Sequence, residues 1–181
     1  SNKRRFSSRT SLESITSTTS SSDNICTLDI ILNKFSESKT SNLNNELIID
    51  GIYGDNLEKI YEFKQFKIVN VKFKMSETTK TFNFKFIECN NLDILIANCK
   101  IKLIEINNCE NISINLDYIQ FDLKKGENSI SNILTKKVDS IKMIKFNKIR
   151  GAQIPISINF EPYISLVDLY LIDVGPVNAF C

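Results

Sequence analysis

The sequence predicts an all-β fold, a parallel β-helix (β-solenoid) of short rungs, and three observations carry that prediction. Within residues 82–117 many of the apolar residues, Phe82, Phe84, Phe86, Leu92, Ile94, Ile96, Ile104, Ile106, Ile112, Ile114 and Leu116, fall on even positions. Period two is the pattern of strands with one buried face. Polar or small corners, Cys89-Asn90-Asn91, Asn98-Cys99 and Asn107-Asn108-Cys109, return about every ten residues. These corners lack the Gly-rich turns of hairpins, so successive strands read as rungs of one coil and not as a meander. A rung cannot bury its apolar row alone, and stacking on its neighbours stabilises it. The phase slips once, at Ile101 and Leu103, which leaves the facing of Lys100 and Lys102 open.

Taken in order, residues 1–25 are dominated by Ser and Thr. They hold too few apolar groups to offset the entropy of ordering and read as a disordered tail. Within them Arg4-Arg5-Phe6-Ser7 places two arginines ahead of a serine, which makes Ser7 a candidate phosphorylation site for a basic-directed kinase. The β-helix domain is assigned to residues 26–181. CTLDIILNKF, from Cys26, reads as a first strand or one helical turn, and ELIIDGIY, from Glu46, as a strand broken at Gly51. Asp55-Asn56-Leu57-Glu58 would cap a short helical turn. FKIVNVKFKM returns to strand character with Val71, Phe73 and Met75 alternating against lysines.

After the central repeat the pattern runs through Leu123 and lapses over residues 124–137, read as an inserted, solvated loop. SIKMIKF, from Ser140, resumes the strands. Ile154, Ile156, Ile158 and Phe160 alternate around Pro155, which requires an unpaired position or a strand end. LVDLYLIDV, from Leu166, is a last strand.

With 181 residues the chain suits one domain and a tail. It contains no His, which excludes a Ser-His-Asp triad, a Cys-His dyad and a His-ligated metal within the chain. A net charge of +2 gives no broad basic surface for nucleic acid. No apolar run approaches the roughly 20 residues of a bilayer span, and no signal-peptide core lies near the start. Five cysteines form no CxxC pair. Cys89, Cys99 and Cys109 read either as a thiolate metal site or as free thiols packed at rung corners, and the second is the commoner role of buried Cys. Free thiols without a secretion signal point to the cytoplasm. No cofactor motif is present.

The central stretch resembles the C-terminal, CARP-type β-helix domain of cyclase-associated protein. The likeness rests on Cys89-Asn90-Asn91 followed by Ile94-Leu95-Ile96, Lys100 leading Ile104-Glu105-Ile106, the Asn108-Cys109 corner, and residues 112–117 closing on Asp117. It extends through Pro155-Ile156-Ser157-Ile158-Asn159, similar to the family's Pro-Thr-Ile-Ser-Ile strand. Phe160-Glu161-Pro162-Tyr163 stands where the family has a Lys-Thr-Asp-Gly turn, and the family's Lys-Ser-Ser-Glu-Met-Asn segment has no counterpart. The Gln-x-Arg arginine finger of the related tubulin cofactor C domain is absent too.

The resemblance implies a non-enzymatic module that binds monomeric actin and promotes nucleotide exchange, with a homodimer as the family's assembly. The candidate contacts are polar residues alternating with the apolar rows: Lys100, Lys102, Glu105, Asn107 and Ser113. A second expectation is a solenoid scaffold for docking or dimerisation that has lost the actin face. A third is a polysaccharide-acting β-helix enzyme using Asp117, Asp122 or Asp139. No pair of these carboxylates has a defined acid/base spacing in the sequence, and the chain has no Trp to line a sugar groove.

Overall fold

The eleven even-numbered apolar residues of the centre do face inward, each no more than 2% exposed. Strands with one such row must stack, and the computed structural model shows them stacked as a parallel coil. It describes residues 2–5, 15–20, 25–32, 46–52, 58–75, 81–122, 131–151, 156–161 and 164–180. In chain order the strands there are β1 (Asn2–Arg5), β2 (Ile15–Ser20), β3 (Ile25–Leu32), β4 (Glu46–Ile52), β5 (Glu58–Lys64), β6 (Ile68–Met75) and β7 (Thr81–Ile87). There follow β8 (Asn91–Asn107), β9 (Ile112–Phe121), β10 (Ile133–Lys136), β11 (Ser140–Gly151), β12 (Ile156–Asn159), β13 (Ser165–Val174) and β14 (Val177–Phe180).

Two stacks of parallel strands form the walls. The first runs β3, β6, the start of β8, β9, β11, β13. The second runs β5, β7, the end of β8, β10, β12, β14. Between them a short third side stacks Lys100 on Gln120 and Gln120 on Arg150. The long strands β8, β9 and β11 bend from the first wall into this side, so each belongs to more than one wall. Equivalent positions recur at 69, 92 and 112 in the first wall, and at 113, 143 and 168. One coil thus takes 20 to 30 residues in these rungs, and the ten-residue corner spacing is half of the tightest coil.

The corners have a shared backbone rule. Gln65, Glu88, Asn108 and Lys137 occupy one edge, Asn98, Tyr118, Lys148 and Asp173 another, and all eight have φ between 52° and 59°. None is Gly. Each corner of the first edge is followed by a buried residue: Phe66, Cys89, Cys109 and Val138. The N–H groups of Gln65, Glu88 and Asn108 donate to the carbonyls of Ile87, Asn107 and Lys136, on the next rung each time, at 2.8–2.9 Å. This repeated bond holds the left-handed conformation, which L residues otherwise avoid.

Inside, aromatic rings stack across the first rungs, with Phe63 on Phe86 at 4.9 Å and Tyr61 on Phe84 at 5.6 Å between centroids. The phase slip is a register shift between Phe82 and Asn83 in the β7–β8 pairing. Ile101 is buried before it and Ile104 after it, which leaves Lys102 and Leu103 half-exposed.

Three expectations change and one open alternative is settled. Asn2–Arg5 and Ile15–Ser20 lie in the stretch read as tail, yet both are strands, antiparallel to β4 and β3. A backbone ladder needs no apolar side chains, so composition does not reveal it. β4 continues through Gly51 to Ile52 without a break. The segment from Cys26 is a strand, not a helical turn. The inserted loop of residues 124–137 contains β10, which pairs in parallel with both β8 and β12 and is therefore a rung member. The helical cap at Asp55, Ile154 and Pro155 lie outside the described residues, while Ile156, Ile158 and Phe160 of the expected alternation are buried.

Candidate functional site

Four of the five candidate contacts come from the bent strand β8. Lys100 sits on the third side between Thr81 and Gln120. Lys102 occupies the register shift, and its carbonyl accepts the Asn132 side-chain N–H at 3.0 Å. Glu105 points outward from the second wall between two cations, Lys85 at 3.5 Å and Lys136 at 3.3 Å. These three residues belong to three consecutive rungs, so they form one charged row across the wall. Asn107 closes the strand, and its carbonyl takes the Glu88 N–H at 2.9 Å. Ser113 does not join them; it belongs to β9 in the first wall. Ser7 lies outside the described residues.

The three evenly spaced cysteines are not brought together. Cys89 and Cys109 share one corner edge on successive rungs, with the Cys89 N–H donating to the Cys109 sulfur at 3.4 Å, while Cys99 follows the other edge. Their thiols meet carbonyls: Cys89 that of Phe63 at 3.5 Å, and Cys109 that of Phe86 at 3.4 Å. The hydrogen bond with Cys109 and burial push the Cys89 thiol well up from its ordinary range, and burial alone pushes up Cys99. The same hydrogen bond shifts the Cys109 thiol the other way, down from its ordinary range, whereas Cys89 and Cys99, held protonated, are poor ligands and nucleophiles. Cys89, Cys99 and Cys109 are free thiols, these three and Cys26 are buried, and among the described residues no cluster of three or more Cys, Asp or Glu is placed to hold a metal.

The carboxylates considered for hydrolysis are dispersed. Asp117 accepts the Asn147 side-chain N–H at 2.8 Å in the first wall. Asp122 follows β9 on the third side, accepting from the Thr81 hydroxyl at 2.9 Å and from Gln120 at 3.2 Å. Asp139 precedes β11 and is exposed.

Two features escaped the sequence reading. Asn132, only 3% exposed, donates to the carbonyls of Lys102 and Asp122 at 3.0 and 3.2 Å and accepts the Ser157 N–H at 3.0 Å. It ties three strands together, and nothing in its polar sequence neighbourhood signals that. The other is β13, where Leu169, Tyr170, Leu171 and Ile172 are each 50–54% exposed. The near-continuous apolar run LVDLYLIDV was a usable signal, because alternation marks a strand with one wet face and a continuous run marks one covered on both.

Among the described residues no helix is long and apolar enough to cross a membrane. Comparison of the chain with family models, curated proteins and solved structures finds no match.

Proposed function

We propose that this chain is a non-enzymatic protein-binding module, and that its partner is the actin monomer implied by the resemblance of residues 82–117 and their flanks. The observation that carries a binding role is the row Lys85, Glu105, Lys136, fixed across three rungs with Lys100 and Asn107 on the same strand as Glu105. Side chains anchored on stacked rungs lose little further freedom when a partner docks, so the charges contribute to binding at low ordering cost. Glu105 serves this surface by positioning the two lysines, whose side chains are the more exposed members. The dispersed carboxylates argue for the same class of function, since glycoside hydrolysis needs two of them within roughly 5–10 Å. Free buried thiols agree with a reducing compartment, the cytoplasm.

The test uses the full chain and ADP-loaded monomeric actin, with release of a fluorescent nucleotide as a second readout. Saturable binding with altered release is expected, weakened by Lys100→Glu and by Lys136→Glu. A folded, β-rich protein that leaves actin unbound and its nucleotide undisturbed would sink the actin assignment.

A second reading, a dimerising scaffold, is favoured by β13. Leu169 and Leu171 continue the inward rows of Ile144 and Phe146, while Tyr170 and Ile172 stand outward beside Lys145 and Asn147. Among the described residues its one ladder neighbour is β11. An edge strand that is apolar on both faces is suited to strand addition. On this reading sedimentation gives a dimer that Leu171→Lys converts to a monomer; a wild-type monomer at high micromolar concentration excludes it.

A further inference from the structure

The outward side of the first wall carries a groove of about 680 Å³ that neither reading above uses in full. Its floor is one column of the coil. The register places Asn70 beside Asp93, Asp93 beside Ser113, Ser113 beside Met143 and Met143 beside Asp168, one residue from each of five consecutive rungs. Lys142 also lines it. Parallel strands lie about 4.8 Å apart, so the column is about 19 Å long and its two carboxylates, three steps apart, stand about 14 Å from each other. One wall is fixed by side-chain amides, with Asn111 donating to the Asn91 oxygen and Asn91 to the Lys67 carbonyl, both at 3.0 Å.

Asp93 and Asp168 are exposed and make no ion pair with another described residue. Two carboxylates 14 Å apart cannot chelate one cation, but they match a ligand that carries two positive charges at that separation. An extended peptide advances about 3.4 Å per residue and turns alternate side chains to one face, so residues i and i+4 project to the same side about 14 Å apart. Residue i+2 then lies over Ser113 and Met143, next to the Lys142 ammonium, which disfavours a third basic side chain there.

We infer that this groove binds an extended peptide segment with Lys or Arg at positions i and i+4 and an uncharged residue at i+2, lying along the coil axis with its basic side chains on Asp93 and Asp168. A peptide fits better than a linear polyamine because the groove is rimmed by amides able to pair with a peptide backbone. The site is separate from the row at Glu105, which is on the second wall.

The test is fluorescence anisotropy of the full chain with a labelled Ala/Ser peptide holding two lysines four residues apart, beside peptides with spacings of two and six, a Glu-for-Lys peptide, and spermidine as competitor. The four-residue spacing binds best, and its affinity falls with added salt. Asp93→Asn and Asp168→Asn each weaken it about two- to fivefold, the range for an exposed ion pair. The double variant Asp93→Lys/Asp168→Lys loses the lysine peptide and gains the glutamate one. Both positions are exposed, so circular dichroism of each variant should match the wild type. Equal affinity for all spacings, binding unmoved by either aspartate substitution, or binding of spermidine without any peptide would each overturn the assignment. Actin binding is read in a different assay and with different variants, so either idea can fail alone.

Discussion

At the scale of single residues, Thr135 shows what an apolar column tolerates. It stands beside Ile106 in the second wall, inside the core and 2% exposed, and its hydroxyl has no hydrogen-bond partner among the described residues. An unpaired buried hydroxyl costs on the order of 1–3 kcal/mol. Valine has the same shape without that group, so Thr135→Val should raise the unfolding free energy by about 1 kcal/mol, read as a higher urea midpoint at unchanged slope. A fall would mean that the hydroxyl has a partner. Cys99 gives a pH signature. Burial raises its folded-state pKa above the ordinary value of 9.0, so folding favours the protonated thiol. Its contribution is complete below about pH 9 and declines as the unfolded chain ionises above that value, by up to about 1.4 kcal/mol per pH unit. Between pH 9 and 10.5, Cys99→Ala should therefore lose stability less steeply than the wild type. Parallel slopes would contradict the assigned burial.

At the scale of elements, the strands were legible and their joints only partly so. Even-numbered Phe, Ile and Leu residues through Leu116 announced the inward rows because a pleat has period two and one face is dry. Asn98 and Asn108 announced corners because Asn tolerates positive φ. Glu88 adopts the same conformation with no such preference because its N–H reaches across to the Asn107 carbonyl, a bond invisible in a single chain of letters, and Tyr118, Lys137 and Lys148 share its φ. β10 was hidden for a related reason: four residues after a polar stretch become a strand because β8 and β12 hold them on both sides. Candidate contacts on β8 could be placed on an outward row, but that Ser113 would face away from Glu105 depends on the bend at Asn98 and the shift at Phe82. Lys137 tests the corner rule. It is exposed, with φ at 53°. The left-handed conformation costs an L residue roughly 1–2 kcal/mol, of which the freer unfolded state of glycine returns part. Lys137→Gly should stabilise by about 0.5–1 kcal/mol, whereas Lys136→Gly, one residue earlier in β10, should destabilise. If both change stability in the same direction, the corner is not what sets the difference.

At the scale of the whole molecule, a coil has no separate core: each rung's inner row is the floor of one rung and the ceiling of the next. Ile106 is the sharpest point at which to test this. It is fully buried between Phe86 on the rung before and Thr135 on the rung after, with the Glu105 row on the outside of the same strand. Ile106→Asp would place a carboxylate between an aromatic ring and the single Thr135 hydroxyl, on a row that carries no cation. Burying a carboxyl there costs several kcal/mol even when it takes up a proton, a large share of the roughly 5–15 kcal/mol that holds a domain of ordinary size together. Because stability in a stacked fold passes from neighbour to neighbour, the damage spreads along the axis and not through one strand alone. Far-ultraviolet circular dichroism and proteolysis of Ile106→Asp should show loss of the central rungs on both sides of β8. Glu105→Gln, one residue away and outward, should keep the spectrum and change stability by less than about 1 kcal/mol. A folded Ile106→Asp protein would mean that the inward row has been assigned to the wrong face. The column that carries Asp93 and Asp168, outward by the same alternation, would then face inward.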